Sequence, residues 1–330
     1  MKKIRYGILS TADIGLSAHI PAARETDNSV VTALASRNLQ AARSAADKCG
    51  VEKAYGSYQE LLDDPDIDVV INPLPISMHL EWTRKTAEAG KHILLEKPVA
   101  LNTAQAREIK QILSEHNVLF YEAFTHRFNP QLNQAAKWVV EGVIGDVVHI
   151  SSALTVNFTA DEDNIRWKPE LGGGGFIDAG CYTVCATRLV MGETPTQVFG
   201  AQRTRHDVDA TFLGTLMFES GALATVKSSL EHEYICYLNV YGSKGVIRVT
   251  HMLNEDAPVL LSTDKGVERF EFDAVNRYAV QLEHFSECVL TGTQPRWGID
   301  DAIENMKVID ALYKSAQSGQ VEKVESDNGC

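Results

Sequence analysis

The sequence has no long apolar run, no paired cysteine motif and no concentration of basic residues, and each absence excludes a class of protein. No apolar stretch approaches the ~18–20 residues that a membrane-spanning helix needs. The six cysteines are scattered, and the nearest two, Cys181 and Cys185, are not spaced as C-x-x-C. They indicate free thiols in a reducing compartment. No pairing of cysteine and histidine predicts a metal site.

Acidic residues outnumber basic ones by 44 to 31, which gives a formal net charge of −13. A nucleic-acid-binding protein would carry a basic stripe, so nucleic acid is not an expected partner. A membrane is not an expected partner either, because no apolar run is long enough to span one. The N-terminal residues 1–4 are basic, but they lead directly into a strand pattern without the apolar region of a signal peptide. We therefore expect a cytoplasmic protein.

The first third of the 330 residues alternates short β-rich runs with helical patterns. Candidate strands cover residues 4–9, 30–35, 68–71, 92–95 and 118–121. Strands that alternate with crossover helices predict an α/β fold with a doubly wound parallel sheet.

The pattern changes after residue 124. Residues 211–218 and 222–226 flank Glu219-Ser220-Gly221, and residues 238–241 and 246–249 flank a second glycine-containing turn. Both are hairpin signals, so they predict an antiparallel or mixed sheet with one covered face. The length also fits two domains of roughly 100–200 residues each.

The first predicted strand leads into the turn of residues 7–15, Gly-Ile-Leu-Ser-Thr-Ala-Asp-Ile-Gly. Ser10 and Ala12 stand where G-x-G-x-x-G has its first two glycines, and Gly15 keeps the third. Small residues still permit a tight turn, with a pyrophosphate held at a helix N-terminus. A tight turn without a ligand is the alternative, but the position directly after a strand favours dinucleotide binding.

The second predicted strand ends at Ala35-Ser36-Arg37-Asn38. NAD enzymes usually place an acidic residue here to bind the ribose 2′-hydroxyl, whereas an arginine suits a 2′-phosphate. Ser36 could add a hydroxyl hydrogen bond. The alternative is that Arg37 is a solvated residue at a helix start.

The fourth predicted strand ends in Glu96-Lys97-Pro98. Ligands of open α/β sheets bind at the carboxyl ends of the strands, so Lys97 is expected to project toward the nicotinamide. Pro98 restricts Lys97 to extended geometry. A lysine can lower the pKa of a neighbouring hydroxyl, but a surface Glu–Lys pair is the alternative.

A glycine-rich stretch, Gly172-Gly173-Gly174-Gly175, precedes a predicted helix that contains Asp178 and Tyr182. Because these two residues are four apart, they are expected on one helical face. A carboxylate and a phenol on one face can exchange protons with a substrate. A packed helix start with a core tyrosine is the alternative.

The order of these motifs resembles the glucose–fructose oxidoreductase / inositol dehydrogenase / MocA (Gfo/Idh/MocA) family, and within it the dihydrodiol and D-xylose dehydrogenases. Residues 121–124, Tyr-Glu-Ala-Phe, and residues 127–130, Arg-Phe-Asn-Pro, also carry the resemblance. It implies a Rossmann domain over residues 1–124 and an α/β domain with a large open, mostly antiparallel sheet over residues 125–330. It also implies that the helix of residues 300–317 packs back on the first domain.

The resemblance further implies that Lys97 and Tyr182 are catalytic and that Asp178 binds the substrate. The inositol dehydrogenases have a histidine in place of Tyr182, which argues against that branch. The implied cofactor-binding residues are Ser10, Thr11, Ala12, Asp13, Ile14, Ser36, Arg37, Pro73, Leu74, His79, Glu96, Lys97, Trp167 and Lys168.

The predicted function is NADP(H)-dependent hydride transfer to or from a sugar-like or diol-like alcohol or carbonyl, with NAD as the alternative cofactor. Tyrosine has a reference pKa near 10, so proton exchange near neutral pH needs a positive charge, which Lys97 supplies. Two other functions stay open: a non-catalytic dinucleotide-binding regulator, and a glycosidase that uses NAD. Specificity is expected in residues 157–168 and around Tyr234 and Tyr278. The open sheet is expected to form a homodimer or homotetramer.

Overall fold

The computed structural model describes residues 2–254 and 256–326, so the predicted free thiol of Cys330 lies outside the described residues. The five cysteines within the described ranges form no disulfide bond there. No helix in these ranges is long and apolar enough to cross a bilayer. The same ranges contain no group of three His, Cys, Asp or Glu residues arranged to hold a metal ion.

Strands and helices are numbered in chain order. The strands are β1 (Ile4–Leu9), β2 (Ser29–Ala35), β3 (Lys53–Tyr55), β4 (Val69–Asn72), β5 (His92–Leu95), β6 (Phe120–Glu122), β7 (Val147–Thr155), β8 (Gln197–Arg205), β9 (Val208–Met217), β10 (Leu223–Ser229), β11 (Ile235–Gly242), β12 (Gly245–Val249), β13 (Val259–Thr263), β14 (Gly266–Phe270) and β15 (Glu322–Lys323). The α-helices are α1 (Ile20–Arg24), α2 (Leu39–Cys49), α3 (Tyr58–Leu62), α4 (His79–Glu88), α5 (Thr103–His116), α6 (Pro130–Val140), α7 (Cys181–Met191), α8 (Arg277–Thr291) and α9 (Ile299–Ser318).

The chain divides into two units, and each is built from two segments. The first unit is Met1–Thr125 with Asn276–Ile303, and the second is His126–Val275 with Glu304–Cys330. This division corrects the predicted continuous domains of residues 1–124 and 125–330. The helix that returns to the first unit is α8, and α9 belongs to the second unit from Glu304 onward. The expectation that residues 300–317 pack on the first domain stays a prediction. Apolar periodicity identifies a helix, but it does not say on which sheet the helix packs.

The first unit contains a six-stranded sheet with the order β3-β2-β1-β4-β5-β6. All of its neighbouring strands are parallel. Strand β4 is buried at every position and β5 at all but its first, as expected where helices cover both faces of a parallel sheet. From β1 the chain adds β2 and β3 on one side, and it then adds β4, β5 and β6 on the other side. Sheets of this type bind dinucleotides at the switch point, which lies between β1 and β4. The predicted doubly wound sheet is confirmed.

Helix α8 completes this unit by packing against β1 and β2. The hydroxyl of Ser286 lies 2.8 Å from those of both Tyr6 and Ser29. Asn28 Nδ2 donates to the carbonyl oxygen of Glu283 at 3.0 Å. Buried polar groups of this kind are costly unless paired, so the contacts specify how α8 lies on the sheet.

The second unit contains a nine-stranded sheet with the order β14-β13-β12-β11-β7-β10-β9-β8-β15. Its neighbouring strands are antiparallel except β7 and β10, which are parallel. The predicted hairpins are β9–β10 and β11–β12. Helix α7 packs on β7, β10 and β11, and Leu312 of α9 lies against Gly200 and Gly214. The predicted large open, mostly antiparallel sheet is confirmed.

Candidate active site

The turn after β1 adopts the geometry of a dinucleotide-binding turn without its first two glycines. Ser10 has φ 82°, a left-handed conformation that glycine adopts more readily than other residues. Its hydroxyl accepts the N–H of Ala12 at 3.2 Å, which supports this backbone locally. A Cβ atom on Gly15 would lie 3.0 Å from Ile8 Cγ2, so a larger residue would push the following helical segment away from β1. A tight turn of this kind leaves room for a pyrophosphate at a helix N-terminus, and the contacts of Ser10 and Ala12 with a cofactor stay predictions.

Arg37 lies directly beyond β2, where the adenosine ribose of a dinucleotide is expected. Asn38 caps α2 by accepting the N–H groups of Gln40 and Ala41, so the helix start is fixed beside the arginine. Arg37 is exposed, and no carboxylate pairs with it within residues 2–254 and 256–326. Burial raises the pKa of Tyr58, and Arg37 opposes that rise, which indicates that the guanidinium lies near this phenol. Arg37 can therefore meet a negative group from solvent.

His79 connects the loops that follow β4 and β5. Its ring nitrogens lie 2.8 Å from the carbonyl oxygen of Leu74 and 3.0 Å from that of Pro98. Burial lowers the pKa of His79, although both carbonyl groups oppose this. Asn72 accepts the N–H of Leu74, and its buried Nδ2 has no partner in the described part of the chain. The ring of His79 thus holds the two loops in place, while Asn72 retains a donor.

Glu96 is the centre of a cluster at the end of β5. Its carboxylate accepts the backbone N–H of Lys97 at 3.3 Å and lies 3.2 Å from Nε2 of the buried His19. The edge of the His19 ring contacts Tyr278, with 5.4 Å between ring centroids. Burial and the charge of Glu96 raise the pKa of Tyr278, whereas Lys97 opposes the rise. Lys97, which the sequence predicts to be catalytic, is partly exposed, and its peptide bond to Pro98 is cis.

In the second unit, Asp178 and Tyr182 are partly exposed within an otherwise buried stretch, residues 174–187. The predicted α-helix starts as a π-helical segment, Phe176–Gly180, and continues as α7. A π-helical turn is wider than an α-helical turn and often occurs at functional sites. Both side chains are nevertheless partly exposed, as expected for two residues that are four apart and share one helical face. The edge of the His126 ring contacts Tyr182, with 5.0 Å between centroids.

Arg166 forms an ion pair with Asp178, with Nε 2.5 Å from Oδ2. This neighbouring carboxylate raises the pKa of Arg166, and Tyr182 adds to the effect. The guanidinium also lies over the Phe158 ring, 4.7 Å from its centroid. A cation, a carboxylate and a phenol are thus gathered in one unit, a set that can bind hydroxyl groups and move a proton.

Trp167 and Lys168, which the sequence predicts to bind the cofactor, make different contacts from their neighbour Arg166. Trp167 is buried in a cluster with Val208, Ala210 and Leu230, and its indole N–H donates to the carbonyl oxygen of Phe158. Lys168 is partly exposed and lies 3.8 Å from Asp163. The cation beside Asp178 is therefore supplied by Arg166, and cofactor contacts from Trp167 and Lys168 stay predictions.

Sequence reasoning did not identify His19 or His126 as parts of the site, and it included Arg166 only as one of residues 157–168, where specificity is expected. Arg166 lies in a 3₁₀ turn without periodicity, and the two histidines belong to no motif that was recognised. The sequence predicts only a role in specificity for Tyr278, whereas in the structure the charges of Glu96 and Lys97 act on its hydroxyl. Long-range packing brings these residues to the motifs, so spacing along the chain could not have found them.

A dinucleotide turn in one unit and a proton-exchanging set in the other are the features of a dinucleotide-dependent oxidoreductase. Comparison with family models identifies the class: residues 4–124 match the oxidoreductase family with an NAD-binding Rossmann fold, and residues 132–248 match the GFO/IDH/MocA C-terminal domain. The chain belongs to the Gfo/Idh/MocA family of NAD(P)-dependent oxidoreductases, and the predicted family is confirmed.

Similar proteins agree with this assignment over nearly the whole chain. D-xylose 1-dehydrogenase (NADP(+)) 2 of Haloferax volcanii is 35% identical over 320 residues, which cover 95% of this chain and 98% of that protein. The 3-ketoreductase KijD10 of Actinomadura kijaniata, solved with NADP and TDP-benzene, has a TM-score of 0.90 and 29% identity, and covers 95% of this chain and 98% of its own. The aldose-aldose oxidoreductase of Caulobacter crescentus, solved with glycerol, has a TM-score of 0.92 and 26% identity, and covers 98% of this chain and 100% of its own.

Proposed function

We propose that this protein is an NADP(H)-dependent oxidoreductase that transfers a hydride between the nicotinamide and a sugar-like or diol-like alcohol or carbonyl. The observation that carries the proposal is the joint exposure of Asp178 and Tyr182, with Arg166 paired to Asp178, on a stretch that is otherwise buried. A purely structural helix start would have no need for two partly exposed polar side chains in a buried stretch, with an arginine from another turn paired to one of them. The chemistry of this set suits a substrate with several hydroxyl groups.

The residues of the first unit suit the proposed cofactor. The left-handed turn at Ser10, the exposed Arg37 and the Asn72 Nδ2 donor, which has no partner among the described residues, are features that suit a dinucleotide with a 2′-phosphate. The relatives named with NADP are a dehydrogenase and a 3-ketoreductase. The residues that we propose to contact the cofactor are Ser10, Thr11, Ala12, Asp13, Ile14, Ser36, Arg37, Pro73, Leu74, His79, Glu96, Lys97, Trp167 and Lys168.

In the proposed oxidation, Tyr182 Oη takes the proton of the substrate hydroxyl while the carbon loses a hydride. The bound nicotinamide supplies the hydride acceptor. Lys97 stabilises the tyrosinate and orients the substrate oxygen, while Asp178 binds a neighbouring hydroxyl. Arg166 orients Asp178, because the charge-assisted bond between them fixes the carboxylate.

A screen of sugars and diols tests the proposed function. The purified protein is mixed with each alcohol and NADP or NAD, or with each carbonyl and the reduced cofactors, and absorbance of the reduced cofactor is followed. We expect turnover with at least one aldose or diol and a preference for NADP. Binding of NADP without turnover of any substrate would favour a regulator, and hydrolysis of a glycoside without net cofactor reduction would favour the NAD-dependent glycosidase.

We further propose that the outer face of the second sheet joins two copies of the chain, as a homodimer or within a homotetramer. Phe199, Leu213 and Leu223 face outward there and are exposed. The outward positions of β8, β9 and β10 include no acidic residue, although the whole chain has a net charge of −13. Like-charged copies can therefore meet on this face, and a self-complementary patch suits a two-fold axis.

Substitution of Leu213 by lysine is expected to separate the copies, because burying an unpaired charge in an apolar interface is costly. Leu213 is 53% exposed in the chain alone. The control is Val140→Lys, since Val140 is 85% exposed at the end of α6. Light scattering at micromolar concentration should give an oligomer for the wild type and the control, and a monomer for Leu213→Lys. A monomeric wild type would contradict the proposal.

A further inference from the structure

The helical segment that carries Asp178 starts without a cap of its own. Gly174 has φ 141°, and Gly175, at the cap position of segment Phe176–Gly180, has no side chain to bind the first N–H groups. The first N–H groups of a helix have no partner inside the helix. Since this start is buried, other parts of the chain must satisfy them.

Asp209 on β9 and Tyr313 on α9 provide the missing acceptors. The N–H of Phe176 donates to Asp209 Oδ2 at 2.5 Å, and the N–H of Ile177 donates to Tyr313 Oη at 3.0 Å. The Tyr313 hydroxyl in turn donates to Asp209 Oδ1 at 2.7 Å. Two hydrogen bonds therefore fasten the helix start to a strand and to the C-terminal helix, and a third joins the two acceptors to each other. We define Asp209 and Tyr313 as the remote cap.

The glycine-rich loop is shaped to accept the remote cap. A Cβ atom on Gly174 would lie 2.5 Å from Asp209 Oδ1, so the carboxylate occupies the space that a side chain would need. The Phe176 ring stacks on Phe212, with 4.2 Å between centroids, and its edge contacts the Tyr313 ring. The position of the Tyr313 hydroxyl is thus set by packing as well as by hydrogen bonds.

The ionisation of both groups suits this arrangement. Burial raises the pKa of Asp209 to about 6, although the bonds from Tyr313 and Phe176 oppose the rise. At pH 7–8 the carboxylate is therefore charged and can accept both bonds. Burial and the charge of Asp209 raise the pKa of Tyr313, so its hydroxyl stays protonated and can donate.

We propose that Asp209 and Tyr313 are positioning residues for the proposed hydride transfer, because they fix the helix start that carries Asp178 and Tyr182. The proposal rests on the proposed function. Asp209 is only 5% exposed, so it acts through the backbone and not by contact with substrate. A helix start displaced by about 1 Å would misplace both side chains, and errors of that size can cost about 10²-fold in rate.

Tyr313→Phe and Asp209→Asn test the proposal in the full-length protein. Each is expected to lower kcat by about 10–100-fold, while the affinity for NADPH, measured by fluorescence, stays within about twofold. The loss of activation free energy in the double variant, calculated from kcat, should be smaller than the sum of the losses in the two single variants, since both residues hold one helix start. A purely structural role would lower the melting temperature without this selective loss of kcat.

Tyr6→Phe is the matched control, because Tyr6 also has a buried hydroxyl that links a strand to a helix, but in the first unit. It should lower the melting temperature and leave kcat near the wild-type value. If Tyr313→Phe behaves like Tyr6→Phe, the proposal is overturned, and this variant decides alone if Asp209→Asn does not fold. If Tyr182→Phe is impaired but both remote-cap variants turn over normally, only this proposal is overturned. If Tyr182→Phe itself turns over normally, the proposed mechanism is overturned as well.

Discussion

Tyr182→Phe and Lys97→Ala should each lower kcat by about 10²–10⁴-fold, the usual contribution of general acid–base groups. The phenylalanine variant keeps the ring and its contact with His126 but cannot exchange the proton. The alanine variant removes the cation that we propose to stabilise the tyrosinate. Steady-state assays with the best substrate from the screen measure both effects.

Matched variants separate a chemical loss from damage to the fold. Tyr241 is partly exposed on the second sheet, so Tyr241→Phe should retain wild-type turnover. Lys85 on α4 pairs with Glu81 at the surface, so Lys85→Ala should do the same. Tyr182→Phe should still bind NADPH, as measured by cofactor fluorescence. A near-normal kcat in both Tyr182→Phe and Lys97→Ala would contradict the proposed mechanism.

Arg37→Ala should raise the Michaelis constant for NADP about 10–100-fold and change that for NAD much less. A guanidinium binds a phosphate in bidentate fashion, and a charge-assisted hydrogen bond contributes about 1.5–3 kcal/mol. At about 1.4 kcal/mol for each factor of ten, one such bond gives this preference. The structure supports the argument because Arg37 is exposed beyond β2 and forms no ion pair within the described residues.

The control for Arg37 is Arg84→Ala, since Arg84 is partly exposed and pairs with Glu108 on the surface. Both Michaelis constants should stay unchanged in this variant. If the wild-type protein uses NAD at least as well as NADP, Arg37 is only a residue at a helix start. The cofactor part of the proposed function would then be wrong, whereas the role of Tyr182 would be unaffected.

The fold could be predicted where the sequence pattern is strong. Buried parallel strands such as β4 and β5 are short apolar runs, and these were identified within a few residues. Strand β3 was missed because its three residues, Lys53–Tyr55, are half-buried and have no periodicity. The π-helical start before α7 could not be predicted either, because two residues that are four apart lie on one face of an α-helical or a π-helical turn.

The candidate site could be predicted only where its residues belong to a motif. Lys97, Asp178 and Tyr182 lie next to proline or glycine signals, and these signals identify strand ends and helix starts. Arg166 and Tyr313 reach the same helix from a turn and from the C-terminal helix. The energy of a buried hydrogen bond or ion pair depends on neighbours in space, so a linear pattern contains little information about such partners.

Because residues 276–303 return to the first unit, the two units cannot be exchanged between related genes as two continuous segments. The chain passes from one unit to the other at three points, after Thr125, Val275 and Ile303. An exchange of the first 125 residues between two relatives would therefore leave the α8 of one parent on the β1 and β2 of the other. Recombination among such genes should succeed mainly when the donor of the N-terminal segment also supplies α8.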